Sequence, residues 1–180
     1  MNPELVTQEI QKIIASKDAR HYTARDPVST ATINTLLDVL GDKNQVYVDE
    51  DEAKKHGYRD VIAPPAALQM WTMNLLNESL QDSPVDQAYQ VLAESGFPNV
   101  VAVNSEQQYD RPIYPGDIIS SEERVESLSE VKRTGLGLGM FITTLLSFTN
   151  QVGERVGTMR FRTLWYATEE PSTKTSQKGA

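Results

Sequence analysis

Apolar residues change their spacing near Pro98, and the change separates a helical first half from a strand-rich second half. Leu5, Val6, Ile10, Ile13 and Ile14, set among Glu, Gln and Lys, predict an amphipathic helix over Met1 to Lys17. Asp18 to Asp26 is polar, and Pro27 disfavours helix in the residue before it. Ser29 and Thr30 open a second helix, in which Ile33, Leu36, Leu37 and Leu40 recur at i, i+3, i+4 and i+7 as one buried stripe that Gly41 ends. Asp42 to Tyr47 is a loop, and a short helix over Glu52 to His56 closes at Gly57. The rigid turn Ile62-Ala63-Pro64-Pro65 leads into Ala66 to Leu80, apolar on most sides through Leu68, Met70, Trp71, Met73, Leu75 and Leu76, which predicts a buried helix. Ser83-Pro84 breaks that pattern, and one further short helix covers Ala88 to Glu94.

After Pro98 the strands begin. Asn99 to Tyr109 carries Val100, Val101 and Val103, Pro115-Gly116-Asp117 is a turn, and Ile118 to Leu128 is a mostly polar strand. Leu136 to Thr149 is apolar and β-rich, Gly153 sits in a hairpin turn, and Val156, Thr158, Arg160 and Arg162 alternate with Gly157, Met159, Phe161 and Thr163 up to Tyr166. Gly135-Leu136-Gly137-Leu138-Gly139 leads into a strand, not a helix, so a hairpin or bulge fits it better than a phosphate loop. Helices followed by a meander of about four antiparallel strands predict an α+β fold. One domain over residues 1–166 and a polar tail or linker over 167–180 account for the chain, with no internal repeat.

Composition narrows the chemistry. With no cysteine among 180 residues, disulfides, thiolate nucleophiles and thiolate metal sites are excluded, which fits a reducing, cytoplasmic location. His21 and His56 are too far apart for a metal site of the usual ligand spacing, so no metal is expected. The net charge of -8 and the lack of a Lys/Arg cluster argue against nucleic acid as a partner, while an anionic ligand stays open because local patches outweigh the sum. No apolar run is long enough to span a bilayer, and the first residues lack the apolar core of an export signal, so Asn77-Glu78-Ser79 is a chance match to the glycosylation pattern.

Two stretches resemble a known family. Leu40-Gly41-Asp42-Lys43-Asn44-Gln45-Val46-Tyr47-Val48-Asp49 is similar to the hydratase signature of MaoC-like enzymes, which runs Gly-Asp-x-Asn-Pro-(aliphatic)-His-x-Asp. Tyr109-Asp110-Arg111-Pro112-Ile113-Tyr114-Pro115-Gly116-Asp117 resembles the same family's Arg-Pro-(aliphatic)-x-x-Gly-Asp turn. Ala24 to Val28, Ile62 to Ala66 and Gln69 to Met73 resemble more narrowly the MaoC-like part of the larger subunit of the steroid side-chain enoyl-CoA hydratase. The resemblance implies a hotdog fold, a curved antiparallel sheet wrapped around a long central helix. It implies an acyl-CoA thioester as substrate, with coenzyme A present only as part of that substrate and no other cofactor. It also implies a smaller catalytic MaoC-like subunit as partner, and a thiolase-like aldolase docked through an OB-fold domain that is absent here.

Hydrating a conjugated enoyl thioester needs a base for water, an acid for the α carbon and a donor for the thioester oxygen. In the family an Asp and a His on one loop serve the water, and a backbone N–H at a helix start serves the oxygen. By the resemblance, Asp42 takes the Asp position, Tyr47 replaces the His, and Pro65, which has no N–H, falls where the donor is expected. A phenol with a pKa of about 10 is a poor base at neutral pH. No complete catalytic set is therefore expected in this chain, and Asp42, Asn44, Tyr47, Pro65 and Trp71 are its substrate-pocket candidates. Plainer roles stand beside these: Asp42 as a turn former after Gly41, Tyr47 as an interface residue, Trp71 and Met73 as core, His56 as a helix end and His21 as an exposed side chain. Three functions follow in order: a pocket-forming, non-catalytic subunit of a hetero-oligomeric hydratase, a self-sufficient homodimeric hydratase or thioesterase, and an acyl-CoA or sterol scaffold without turnover.

Overall fold

The computed structural model describes residues 3–73 and 83–168. Its first helix, α1 (Pro3–Ser16), buries Val6 and Ile10 as the amphipathic spacing predicts. In α2 (Thr30–Leu40) the Ser29 side chain accepts the Thr32 N–H, and Gly41, at φ 66°, ends the helix in the left-handed conformation that suits glycine. Ser29→Ala is expected to cost about 1 kcal/mol in a denaturant melt, the usual worth of such a cap. Ile33 and Leu37 are buried, but Leu40 is exposed because the last turn of α2 runs past the core.

The short helix α3 (Glu50–Lys55) starts earlier than expected because Asp49 caps it through the Glu52 N–H. A larger difference concerns Ser83-Pro84. The pair opens a helix, α4 (Pro84–Glu94), with Ser83 capping the Asp86 N–H and Pro84 at the first helical position. The expected helix over Ala66 to Leu80 is a 3₁₀ helix, Pro65–Thr72, and its expected continuation from residue 74 to Leu80 lies outside the described residues. With three residues per turn, each side chain is rotated further than in an α-helix. Ala67, Leu68 and Thr72 therefore turn inward, and Met73, expected in the core, is exposed.

Among the described residues, six strands form one antiparallel sheet: β1 (Arg20–Thr23), β2 (Asn99–Tyr109), β3 (Ser120–Leu128), β4 (Lys132–Thr134), β5 (Gly137–Thr149) and β6 (Arg155–Ala167). Their spatial order is β1-β3-β5-β6-β2, with β4 paired to β5. Only β3, β5 and β6 follow one another as a meander. β2, expected beside β3, pairs instead with β6 at the opposite edge, from Asn99 opposite Tyr166 to Tyr109 opposite Gly157.

Met140, Ile142, Thr144, Leu146 and Phe148 point inward from β5. They divide the core into two halves along one face of the sheet. α1 and α4 cover one half through Val6, Ile10, Val85, Ala88 and Leu92. α2 and the 3₁₀ helix cover the other through Ile33, Leu37 and Leu68. Val156, placed by simple alternation with the polar side of β6, is buried beside Met159. A register shift between β5 and β6 at Phe148 and Thr149 breaks the alternation there, as a bulge does.

Candidate functional site

The site is assembled around the 3₁₀ helix at one end of the sheet. The Ala63 N–H donates to the Ile113 carbonyl at 2.8 Å, which ties the Ile62-Ala63-Pro64-Pro65 turn to the Arg111-Pro112-Ile113 turn. Val28 donates to the Asp117 carbonyl at 2.9 Å, and Gly116, at φ 89°, donates back to Val28 at 2.8 Å. Asp117 is buried, yet its carboxylate accepts the Tyr114 N–H at 2.8 Å and the Gln151 amide at 3.2 Å. Stretches far apart in sequence are thus joined by backbone hydrogen bonds into one wall. Against it lies a pocket of about 210 Å³, lined by Tyr58, Ile62, Pro65, Leu68, Arg111 and Val156 among others.

The Asp42–Tyr47 loop is a chain of side-chain-to-backbone bonds. Asp42 Oδ1 accepts the Asn44 N–H at 3.0 Å, and Asn44 Oδ1 accepts the Val46 N–H at 3.3 Å and caps the 3₁₀ turn Gln45–Tyr47. Asp42 is therefore exposed and engaged in a turn. Tyr47 is half-buried against the core beside α2. Burial, and after it the charges of Asp42 and Tyr58, push its phenol above the ordinary range, against a hydrogen bond with Asn44. Tyr47 consequently stays protonated at neutral pH, where it can donate a hydrogen bond but not take up a proton.

Pro65 heads the 3₁₀ helix, with Pro64 preceding it and no side-chain cap on the turn. Neither proline has an N–H, so Ala66 is the first residue of the turn with one to offer. Trp71 lies apart, in a separate cleft of about 200 Å³ with Tyr22, Arg25, Thr32 and Met73. Its indole N–H is buried with no hydrogen-bond partner among the described residues. The structure thus brings Asp42, Asn44 and Tyr47 into one cluster, puts Pro65 in the apolar pocket, and opens Trp71 onto a different cleft, although Trp71 and Tyr47 pack against the same half of the core.

Tyr58 and Arg111 of the pocket wall carry no sequence signal that marks them as pocket residues: Tyr58 follows Gly57 with no periodic pattern, and Arg111 belongs to the Arg-Pro-(aliphatic)-x-x-Gly-Asp turn. His56 ends α3 with Nδ1 2.9 Å from the Glu52 carbonyl, and His21 is exposed on β1. Among the described residues no three His, Cys, Asp or Glu side chains gather as a metal-binding group, and no helix is long and apolar enough to cross a membrane.

Residues 19–159 match the family model of the FAS1-like dehydratase domain region, a stretch that takes in the Gly41–Asp49 and Arg111–Asp117 motifs and the pocket wall. The chain belongs to this family. Its α+β architecture is the hotdog fold, shared with MaoC-like dehydratases. The chain is 39% identical over 158 residues to the probable enoyl-CoA hydratase alpha subunit of Thermomonospora curvata, covering 86% of this chain and 49% of that relative. It is 34% identical over 161 residues to the 3-oxo-4,17-pregnadiene-20-carboxyl-CoA hydratase alpha subunit of Mycobacterium tuberculosis, covering 88% and 51%. This dehydratase-family chain therefore spans about half the length of these two relatives. The crystal structure of the ChsH1–ChsH2 complex from Mycobacterium tuberculosis includes a chain that superposes with a TM-score of 0.86 at 30% identity, covering 94% of this chain and 95% of that one.

Proposed function

We propose that this chain is the non-catalytic, pocket-forming part of a hetero-oligomeric enoyl-CoA hydratase whose working Asp and His sit on a smaller MaoC-like partner. The observation that carries the reading is the Tyr47 phenol, held protonated where the family's histidine is expected, beside an Asp42 already engaged in a turn. The prolines at the head of the 3₁₀ helix support it, because they remove the N–H groups from the expected oxyanion position.

β2 is the natural surface for that partner. Among the described residues it is an edge strand with one side unpaired, and Val100, Val101 and Val103 are exposed on both of its faces. The relatives' names, which include a steroid carboxyl-CoA hydratase alpha subunit, support a bulky steroid side-chain enoyl-CoA as substrate and a place in steroid degradation. Water is the only co-substrate this chemistry requires, and coenzyme A enters only as part of the thioester.

Co-expression with a small MaoC-like subunit tests the reading. The chain alone is expected to hydrate a steroid enoyl-CoA at least about 10²-fold more slowly than the co-purified pair, the range lost with a general base. Full activity from the chain alone would instead favour a self-sufficient enzyme.

A further inference from the structure

β2 carries a polar row on the side of the sheet that faces the core. Side chains alternate along a strand, so the pairing of Gln107 with Met159 and of Tyr109 with Gly157 puts Gln107 and Tyr109 on that side. Met159 is buried there, whereas Tyr109 is 47% exposed and Gln107 is half-buried. Tyr109 also lines the apolar pocket with Pro65 and Leu68, and Gln107 stands ~7 Å further along the strand. The row is thus continuous with the pocket wall. Phe161, the next inward residue of β6, packs against the same half of the core as Met159, so the floor beside the row is apolar and suits a hydrocarbon skeleton.

The two polar side chains order each other. The Tyr109 hydroxyl donates to Gln107 Oε1 at 2.6 Å, and Gln107 Nε2 donates to the Met159 thioether at 3.3 Å. A thioether sulfur has no proton to give, so the amide nitrogen is the atom that faces it. Sulfur is a weak acceptor, and among the described residues no oxygen accepts from this amide. Gln107 is therefore a donor fixed in direction, with its oxygen occupied and its N–H groups poorly used. Such a group gains from a ligand oxygen that accepts and has no proton of its own, as a ketone oxygen does. A partner strand on the free edge of β2 would bond its backbone in the plane of the sheet and leave these side chains facing inward.

We propose that Gln107 is a specificity-determining residue: its amide donates to a ketone oxygen carried on the acyl group remote from the thioester, and Tyr109 is the positioning residue that holds the amide. This rests on the acyl-CoA reading above. The pocket-forming chain then selects the acyl skeleton by its oxygen while the partner carries out the hydration.

Steady-state hydration by the co-purified pair tests this with two probes, a steroid enoyl-CoA bearing a ring ketone and its ring-deoxy counterpart. The unsubstituted pair is expected to favour the ketone in kcat/KM. Gln107→Met keeps the length of the side chain and removes the donor, and is expected to cut that preference about 3- to 10-fold, with the loss carried by KM. Tyr109→Phe frees the amide to turn and is expected to cut the preference by less. A preference that survives Gln107→Met, or a loss that falls equally on both probes, overturns the role and leaves the acyl-CoA reading standing. So does an unsubstituted pair that treats the two probes alike. A pair that hydrates neither overturns both.

Discussion

Arg20→Ala is expected to lower the free energy of unfolding by about 3–5 kcal/mol, the usual cost of removing one partner from a buried ion pair. The Arg20 side chain is 21% exposed, and the two carboxylates it faces, Asp86 and Glu123, are 14% and 11% exposed. Nη1 bonds Asp86 at 2.9 Å and Nη2 bonds Glu123, so one guanidinium links β1 to both α4 and β3. Truncation leaves two carboxylates in poor solvent with no cation between them. A urea titration with unchanged denaturant dependence measures the loss. A change below about 1 kcal/mol would mean that water screens the cluster as it does a surface pair.

Leu68→Ala is the second large effect, expected to destabilise the fold by about 2–5 kcal/mol as a buried leucine truncation. Leu68 is 1% exposed, packs in the half of the core beneath α2, and lines the apolar pocket. It also lies against the β2–β6 pairing: a Cβ added at Gly157 would come within 2.9 Å of its Cδ2 and 2.6 Å of the Gln108 carbonyl. The substitution therefore acts twice, by loosening the core and by enlarging the pocket. Thermal unfolding measures the first effect, and the ratio of rates on short and bulky enoyl-CoA substrates with the partner present measures the second. A variant as stable as the parent would show that the 3₁₀ helix is not anchored through this side chain.

How far the sequence foretold the fold depends on how local each signal is. The long strands β2, β3, β5 and β6 carry enough β-branched and alternating residues to be read within one or two residues of their ends. β1 is four polar or charged residues, and it becomes a strand only through its pairing with β3. Nothing near Asn99 to Tyr109 says that β2 should cross to the far edge beside β6, because that choice is made by residues much later in the chain. Ser83-Pro84 was ambiguous by nature, since a proline that ends one helix can begin the next.

The candidate site was legible to the same degree. Asp42, Asn44 and Tyr47 are close in sequence and close in space, tied by the turn that a glycine followed by Asp predicts. Trp71 shares an apolar segment with Pro65 but opens onto a different cleft, because the segment winds as a 3₁₀ helix.

The most direct test of the non-catalytic assignment is steady-state hydration by the co-purified pair carrying Asp42→Ala in this chain, compared with substitution of the partner's own Asp or His. The account predicts that Asp42→Ala changes kcat by less than about threefold, while each partner substitution lowers it by roughly 10²–10⁴. A loss of that size on Asp42→Ala would contradict it and make this chain a catalyst in its own right.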